Sequence, residues 1–219
     1  MNSDEFGTPA SSGASETPDA ALGSFTESRL HRWLTPAVAL LIDTPVTPNH
    51  LTTLRLLSGL GAAGAFACGA AAWSAIAGGL FVASILLDHA DGILARIAHK
   101  TSRIGYLYDL WTDAAVNSLV FLGIGFGLRD GSLGYGAALL GTVAGLAVAG
   151  NFLVVQRLEA RAGSPLGWNF RGIDPDHALF LVPVAAWAGG LPILLYAAAA
   201  LAPLVLALMV RELLRMPAR

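Results

Sequence analysis

The sequence predicts an all-α integral membrane protein: six transmembrane helices preceded by an interfacial amphipathic helix, with both termini on the cytoplasmic side. Three observations carry that expectation. Of 219 residues, 55% are hydrophobic and 13% charged, about half the roughly 25% charge of an average soluble domain. The charges are clustered, leaving charge-free stretches at 56–87, 114–128, 131–156 and 177–210. Finally, of the 13 Lys and Arg, all but Arg129 fall on one face of a six-span arrangement. That asymmetry is the positive-inside signal, and it orients the helices. The same composition excludes other classes. A single cysteine, Cys68, makes no internal disulfide, and a formal charge of -2 supplies no general affinity for nucleic acid.

Each element follows from its residues. Residues 1–24 are Ser, Thr, Ala, Gly, Pro and acids without apolar periodicity, which predicts a disordered tail. They lack a basic segment followed by an apolar run, so no secretory signal is expected. In the segment 25–44, Arg29, His31, Arg32 and Trp33 precede the apolar run from Ala37 to Ile42, the pattern of a helix lying in the membrane interface. Pro45 and Pro48 break it, and Asn49 is the expected N-cap of the first span. A span needs about 20 apolar residues, so the first and last charge-free stretches are too long for one each. Turns at Cys68-Gly69-Ala70 and Gly189-Gly190-Leu191-Pro192 divide them. The spans are then expected at 49–68, 72–97, 104–127, 133–158, 174–188 and 192–214, within a membrane domain covering 45–219.

Aspartate is costly inside a membrane and usually marks function there. This chain has four on two consecutive spans: Asp88 and Asp91 near the end of the second, Asp109 and Asp113 near the start of the third. Spacings of three and four put each pair on one helix face. The short basic connection makes the two helices antiparallel neighbours with both pairs at one depth. Converging carboxylates repel unless cations lie between them, and hard oxygen ligands suit Mg²⁺, Mn²⁺ or Ca²⁺. A purely structural alternative pairs them with Arg55, Arg96, Lys100 and Arg103. Gly92 and Gly105 beside the aspartates allow close helix packing or leave backbone exposed for a ligand.

The segment Asp88-His89-Ala90-Asp91-Gly92-Ile93-Leu94-Ala95-Arg96, eight further residues, then Gly105-x3-Asp109-x3-Asp113 resembles the signature of the CDP-alcohol phosphotransferase family, D-x2-D-G-x2-A-R-x8-G-x3-D-x3-D. All eight fixed positions and every spacing agree, a coincidence on the order of one in 10⁹ at ordinary residue usage. The six-span layout and Pro48-Asn49-x-Leu51-Thr52-x2-Arg55 also resemble that family, so the resemblance covers residues 28–214. It implies transfer of a phosphate-linked group from a CDP-alcohol to a second alcohol with release of CMP, a reaction of phospholipid biosynthesis. By resemblance, Asp88, Asp91 and Asp109 are metal ligands, and Asp113 is a ligand, the catalytic general base, or both. Gly92, Ala95, Arg96 and Gly105, with Asn49 and Thr52, are the implied nucleotide-binding surface. The implied cofactor is Mg²⁺ or Mn²⁺, two ions, in a homodimer whose site faces the cytoplasm.

The physics agrees with that division. Phosphoryl transfer needs in-line positioning and neutralisation of oxygen charge. A weakly nucleophilic hydroxyl needs a carboxylate to take its proton, and Asp113 is the deepest of the four. Asn117, one turn further, extends this polar face or serves helix–helix hydrogen bonding. Arg96 offsets the diphosphate charge or reaches lipid headgroups. His89 is a hydrogen-bond donor to the ligands or a packing residue, and His50 lies in the Pro48–Thr52 turn. In the segment 157–177, Arg157, Arg161 and Arg171 suit a phosphorylated acceptor, although Trp168, Phe170 and the same charges equally describe an interfacial loop.

Two substrate assignments stay open: a phosphatidyl group moving from CDP-diacylglycerol to a small polar alcohol, or a choline- or ethanolamine-type headgroup moving to a lipid alcohol. A divalent-cation transporter is the reading from another class. It prefers carboxylates at the bilayer midplane with a polar route beyond them, whereas here they sit at one end.

Overall fold

A computed structural model describes residues 32–162 and 178–216. The expected tail at 1–24, the start of the 25–44 segment, Arg171, and residues 163–177 with Trp168 and Phe170 lie outside the described residues. Those described form seven helices and no strand. They are α1 (32–39), α2 (Pro48–Ala67), α3 (Ala71–Ile97), α4 (Arg103–Gly127), α5 (Tyr135–Ala162), α6 (Leu181–Ala188) and α7 (Leu191–Arg215). Four of them, α3, α4, α5 and α7, are long and apolar enough to cross a membrane. Helices of that length and composition are those of an integral membrane protein.

The helix ends follow local chemistry. The first span is capped by Thr47, and the expected cap, Asn49, lies inside the helix instead. Pro48 explains the shift, since its fixed φ and missing N–H suit the first helical position. The Thr47 N–H donates to Nδ1 of His50, three residues on, at 3.2 Å. Ser102 caps α4 by accepting from the Gly105 N–H at 3.0 Å. Both expected turns are present, with Gly69 at φ 75° and Gly189 at φ 71°, values that suit glycine. The helix expected at 174–188 is a shorter element in its described part, Leu181–Ala188, too short to span alone.

The helices close into a ring. Helix α2 packs against both α3 and α4, α4 against α5, α5 against α7, α7 against α6, and α6 back against α3. One expectation is corrected here: α3 and α4, although joined by a short loop, are not packed neighbours, because α2 stands between them. Glycine lets it approach α4 closely. A β-carbon on Gly123 or Gly127 would run into the carbonyl oxygens of Ala63 and Phe66. Away from the acidic end, Ala62, Phe66, Ala77, Phe81, Val116, Val120 and Ile124 are buried in one apolar core. At the acidic end, Val38, Leu34 and Leu41 from α1 and the turn after it pack on Leu51, Ile93 and Leu94, while Trp33 and Leu40 are left about four-fifths exposed (82% and 79%).

Candidate active site

The four aspartates converge as their helical spacing predicts, and a residue from a third helix holds them. Arg55, on α2, is 3% exposed. Its Nη1 lies 2.6 Å from Asp88 Oδ1 and 2.7 Å from Asp109 Oδ1, and its Nη2 donates to Asp113 Oδ1. A planar guanidinium with five donors is the side chain able to serve three carboxylates at once. Asp91 has a different partner: the Thr52 hydroxyl donates to its Oδ2 at 2.7 Å. Arg55, one of the cations named as structural partners, thus stands within the cluster. One guanidinium against four carboxylates still leaves a formal excess of negative charge.

Carboxylate oxygens of Asp88, Asp91 and Asp109 lie within 4.8 Å of one another. Oxygens on opposite sides of an octahedral Mg²⁺ are about 4.2 Å apart, and around Ca²⁺ about 5 Å. Three hard carboxylate donors at this spacing therefore fit a divalent cation of that class. Asp113 is outside this trio; it faces Arg55 and a cavity beside the cluster.

The residues assigned to nucleotide binding lie on α2, α3 and α4, the three helices that carry the cluster. Asn49 sits at the start of α2, where its Oδ1 would be 3.1 Å from a β-carbon on Gly105. A side chain at Gly105 would thus crowd the Ser102 and Asn49 side chains where α4 starts against α2. Gly92 differs: the near neighbour of a β-carbon there would be Arg96 Nη2, at 3.6 Å, so Arg96 overhangs an otherwise open backbone. Ala95 is half-buried, one turn nearer the end of α3. Thr52 is buried on Asp91.

The basic residues assigned to an acceptor are not gathered into a pocket among the described residues. Arg157 is exposed on α5. Arg161 Nη1 donates to the Leu213 carbonyl of α7 at 2.8 Å, a stabilising position for a cation at a helix C-terminus. Arg171 is outside the described residues. His89 uses Nδ1 at 2.9 Å from the Ile85 carbonyl oxygen and at 3.7 Å from Asp88 Oδ2.

Sequence reasoning missed two features. Arg55 was one of four possible counter-ions; the signal that singles it out is an arginine within a span, 2 turns from the helix start, where only a partner makes it tolerable. Thr53 Oγ1 and the Tyr108 hydroxyl meet at 3.0 Å, joining α2 to α4 beside Asp109, and no spacing pattern announces that pair.

The sequence model of the CDP-alcohol phosphatidyltransferase family matches residues 45–213, from the turn before α2 almost to the end of α7. No curated individual protein matches the chain.

Proposed function

The chain belongs to the CDP-alcohol phosphatidyltransferase family, and on that premise we propose that it transfers a phosphatidyl group from CDP-diacylglycerol to a small polar alcohol, releasing CMP. The observation that carries this reading is the grouping of the Asp88, Asp91 and Asp109 oxygens within 4.8 Å, beside Asp113. The acceptor hydroxyl forms a bond to the phosphorus that bears the diacylglycerol. The bond from that phosphorus to the bridging oxygen breaks, and CMP leaves with the electron pair. Asp113 takes the hydroxyl proton as the new bond forms.

Asp88, Asp91 and Asp109 would hold the divalent cation, Mg²⁺ or Mn²⁺, and loading with two ions would draw on Asp113 as well. When bound, the metal supplies charge neutralisation at the diphosphate and its leaving oxygen. Arg55 keeps the carboxylates converged, and Thr52 orients Asp91. Gly92, Ala95, Arg96, Gly105, Asn49 and Thr52 form the nucleotide surface. The overhang of Arg96 on open backbone at Gly92 supports a diphosphate approaching there. Arg157, Arg161 and Arg171 remain the basic residues that would meet an acceptor phosphate at the rim.

The same reading has six spans, the segment 25–44 lying in the interface, and both termini and the acidic end facing the cytoplasm. It also has the protein in the cytoplasmic membrane as a homodimer. A packed apolar core beyond the site, including Val120 and Ile124, favours transfer over cation transport, which needs a polar route onward.

The test is CMP release by the purified protein, crossing CDP-diacylglycerol and CDP-choline donors with glycerol 3-phosphate, serine, inositol, inositol phosphate and diacylglycerol. Release that needs CDP-diacylglycerol, a polar acceptor and Mg²⁺ or Mn²⁺, and stops with chelator, is expected. No CMP from any combination overturns the proposal.

A further inference from the structure

Beside the aspartates, a cavity of about 40 Å³ is lined from α2, α3 and α4. Asp113 and Asn117 line it from α4, and Ser84 lines it from α3. Its remaining walls include Phe81, Ile85 and Leu179. A single water needs roughly 10–15 Å³ on a comparable measure, so this volume admits a hydroxymethyl group. Asn117 is 2% exposed, and its Nδ2 is the one buried side-chain nitrogen among the described residues without a hydrogen-bond partner. Leaving such a donor unpaired in a bundle costs on the order of 1–3 kcal/mol. The hydrogen of Ser84 is already given to the Arg55 carbonyl, at 3.1 Å.

We infer that this cavity receives the acceptor's hydroxyl next to the reacting one, and that Asn117 is a specificity residue selecting a polyol with that second, neutral hydroxyl. The inference rests on the transferase reading and goes further by naming the acceptor class. Asn117 lies four residues beyond Asp113 on the same helix face, about 6 Å along the axis. A vicinal diol's two oxygens, with a hydrogen bond of about 2.8 Å at each end, bridge that interval. One hydroxyl then gives its proton to Asp113 while the other accepts from Asn117. Charge decides against other acceptors. Asp88 and Asp113 line the cavity with His89, whose Nδ1 lies on the Ile85 carbonyl oxygen, and with Arg55, which is committed to three aspartates, so a carboxylate or phosphate entering it would meet two carboxylates and no uncommitted guanidinium. An ammonium has no lone pair to offer Asn117. Any anionic group of the acceptor therefore stays outside, toward the rim.

The experiment compares wild type with Asn117→Leu, which keeps the side chain's branching at Cγ and removes its donor. CMP release is measured with glycerol 3-phosphate against 3-hydroxypropyl phosphate, inositol against a singly deoxygenated inositol, and serine. Wild type is expected to prefer the diol of the pair it uses by ~10-fold or more, equivalent to about 1.4 kcal/mol. Asn117→Leu should raise the KM of that diol by about the same factor, leave the donor KM unchanged and abolish the preference. Its thermal midpoint should hold or rise, because an unpaired donor is removed. An active wild type that works best with serine overturns the inference while the transferase reading stands. So does a variant that keeps the diol preference, or one whose midpoint falls sharply, which marks Asn117 as a packing group. No CMP release from any wild-type combination removes both.

Discussion

Replacing Arg55 by Met tests the electrostatic design of the site. The guanidinium is 3% exposed and meets three carboxylates, those of Asp88 at 2.6 Å, of Asp109 at 2.7 Å, and of Asp113. Removing one partner of a buried ion pair costs about 3–5 kcal/mol, because the other charge is left uncompensated. Here the carboxylates keep 30%, 36% and 23% side-chain exposure, so water screens part of the loss and about 3 kcal/mol is the better figure. For a chain of this size, each kcal/mol moves the thermal midpoint by roughly 2–4 °C, giving a fall of about 6–12 °C in chelator. A divalent cation bound to the trio replaces the missing positive charge, so saturating Mg²⁺ should recover more than half of that fall. The assay is thermal unfolding of both proteins in detergent, with chelator and with Mg²⁺. An equal fall under both conditions would show that Arg55 acts by packing alone, and no fall in chelator would show that the aspartates need no internal counter-charge.

Further outcomes follow from the same geometry. Asp91→Asn should lose both Mg²⁺-induced thermal stabilisation and CMP release, whereas Asp113→Asn should keep the stabilisation and lose turnover; normal turnover in Asp91→Asn removes the metal assignment. Thr52→Val deletes the 2.7 Å bond to Asp91 Oδ2 and should weaken the divalent requirement's half-saturation ~10-fold, read from a Mg²⁺ titration of activity. Gly123→Ala drives a β-carbon into the Ala63 carbonyl and should cost about 1–3 kcal/mol. The control Gly136→Ala meets nothing within 4 Å and should leave the thermal midpoint unchanged or raise it; equal midpoints for the two variants would contradict the close α2–α4 packing.

The chain's helices and its acidic cluster were readable because both depend on local repeats. Charge-free runs mark α3, α4, α5 and α7, and spacings of three and four place Asp88 with Asp91 and Asp109 with Asp113 on single faces. What depended on a third helix was not readable. Loop length made α3 and α4 neighbours; nothing in their own residues shows that α2 stands between them. Gly92 and Gly105 look alike in sequence, yet one leaves backbone open under Arg96 and the other lies against Asn49 and Ser102. The shift of the first cap from Asn49 to Thr47 was accessible in principle, since a proline at position 48 favours the first helical position over the one before the cap.

The place of α2 links these findings. Two helices carrying four carboxylates at one depth cannot close on each other in a weakly screening environment. A third helix between them relieves this in two ways, holding α3 and α4 apart and bringing Arg55 to three of the acids. Small residues make the arrangement feasible, because Gly123 and Gly127 let α2 lie against α4 with carbonyl oxygens where side chains would otherwise stand. Asp113 and Asn117 line a cavity beside the acids, and Val116, Val120 and Ile124 on the same helix belong to the buried apolar core. On the proposed transferase reading, substrates enter and products leave at the acidic end. That is the geometry of group transfer at a membrane surface, and it is opposite to what passage across the membrane requires.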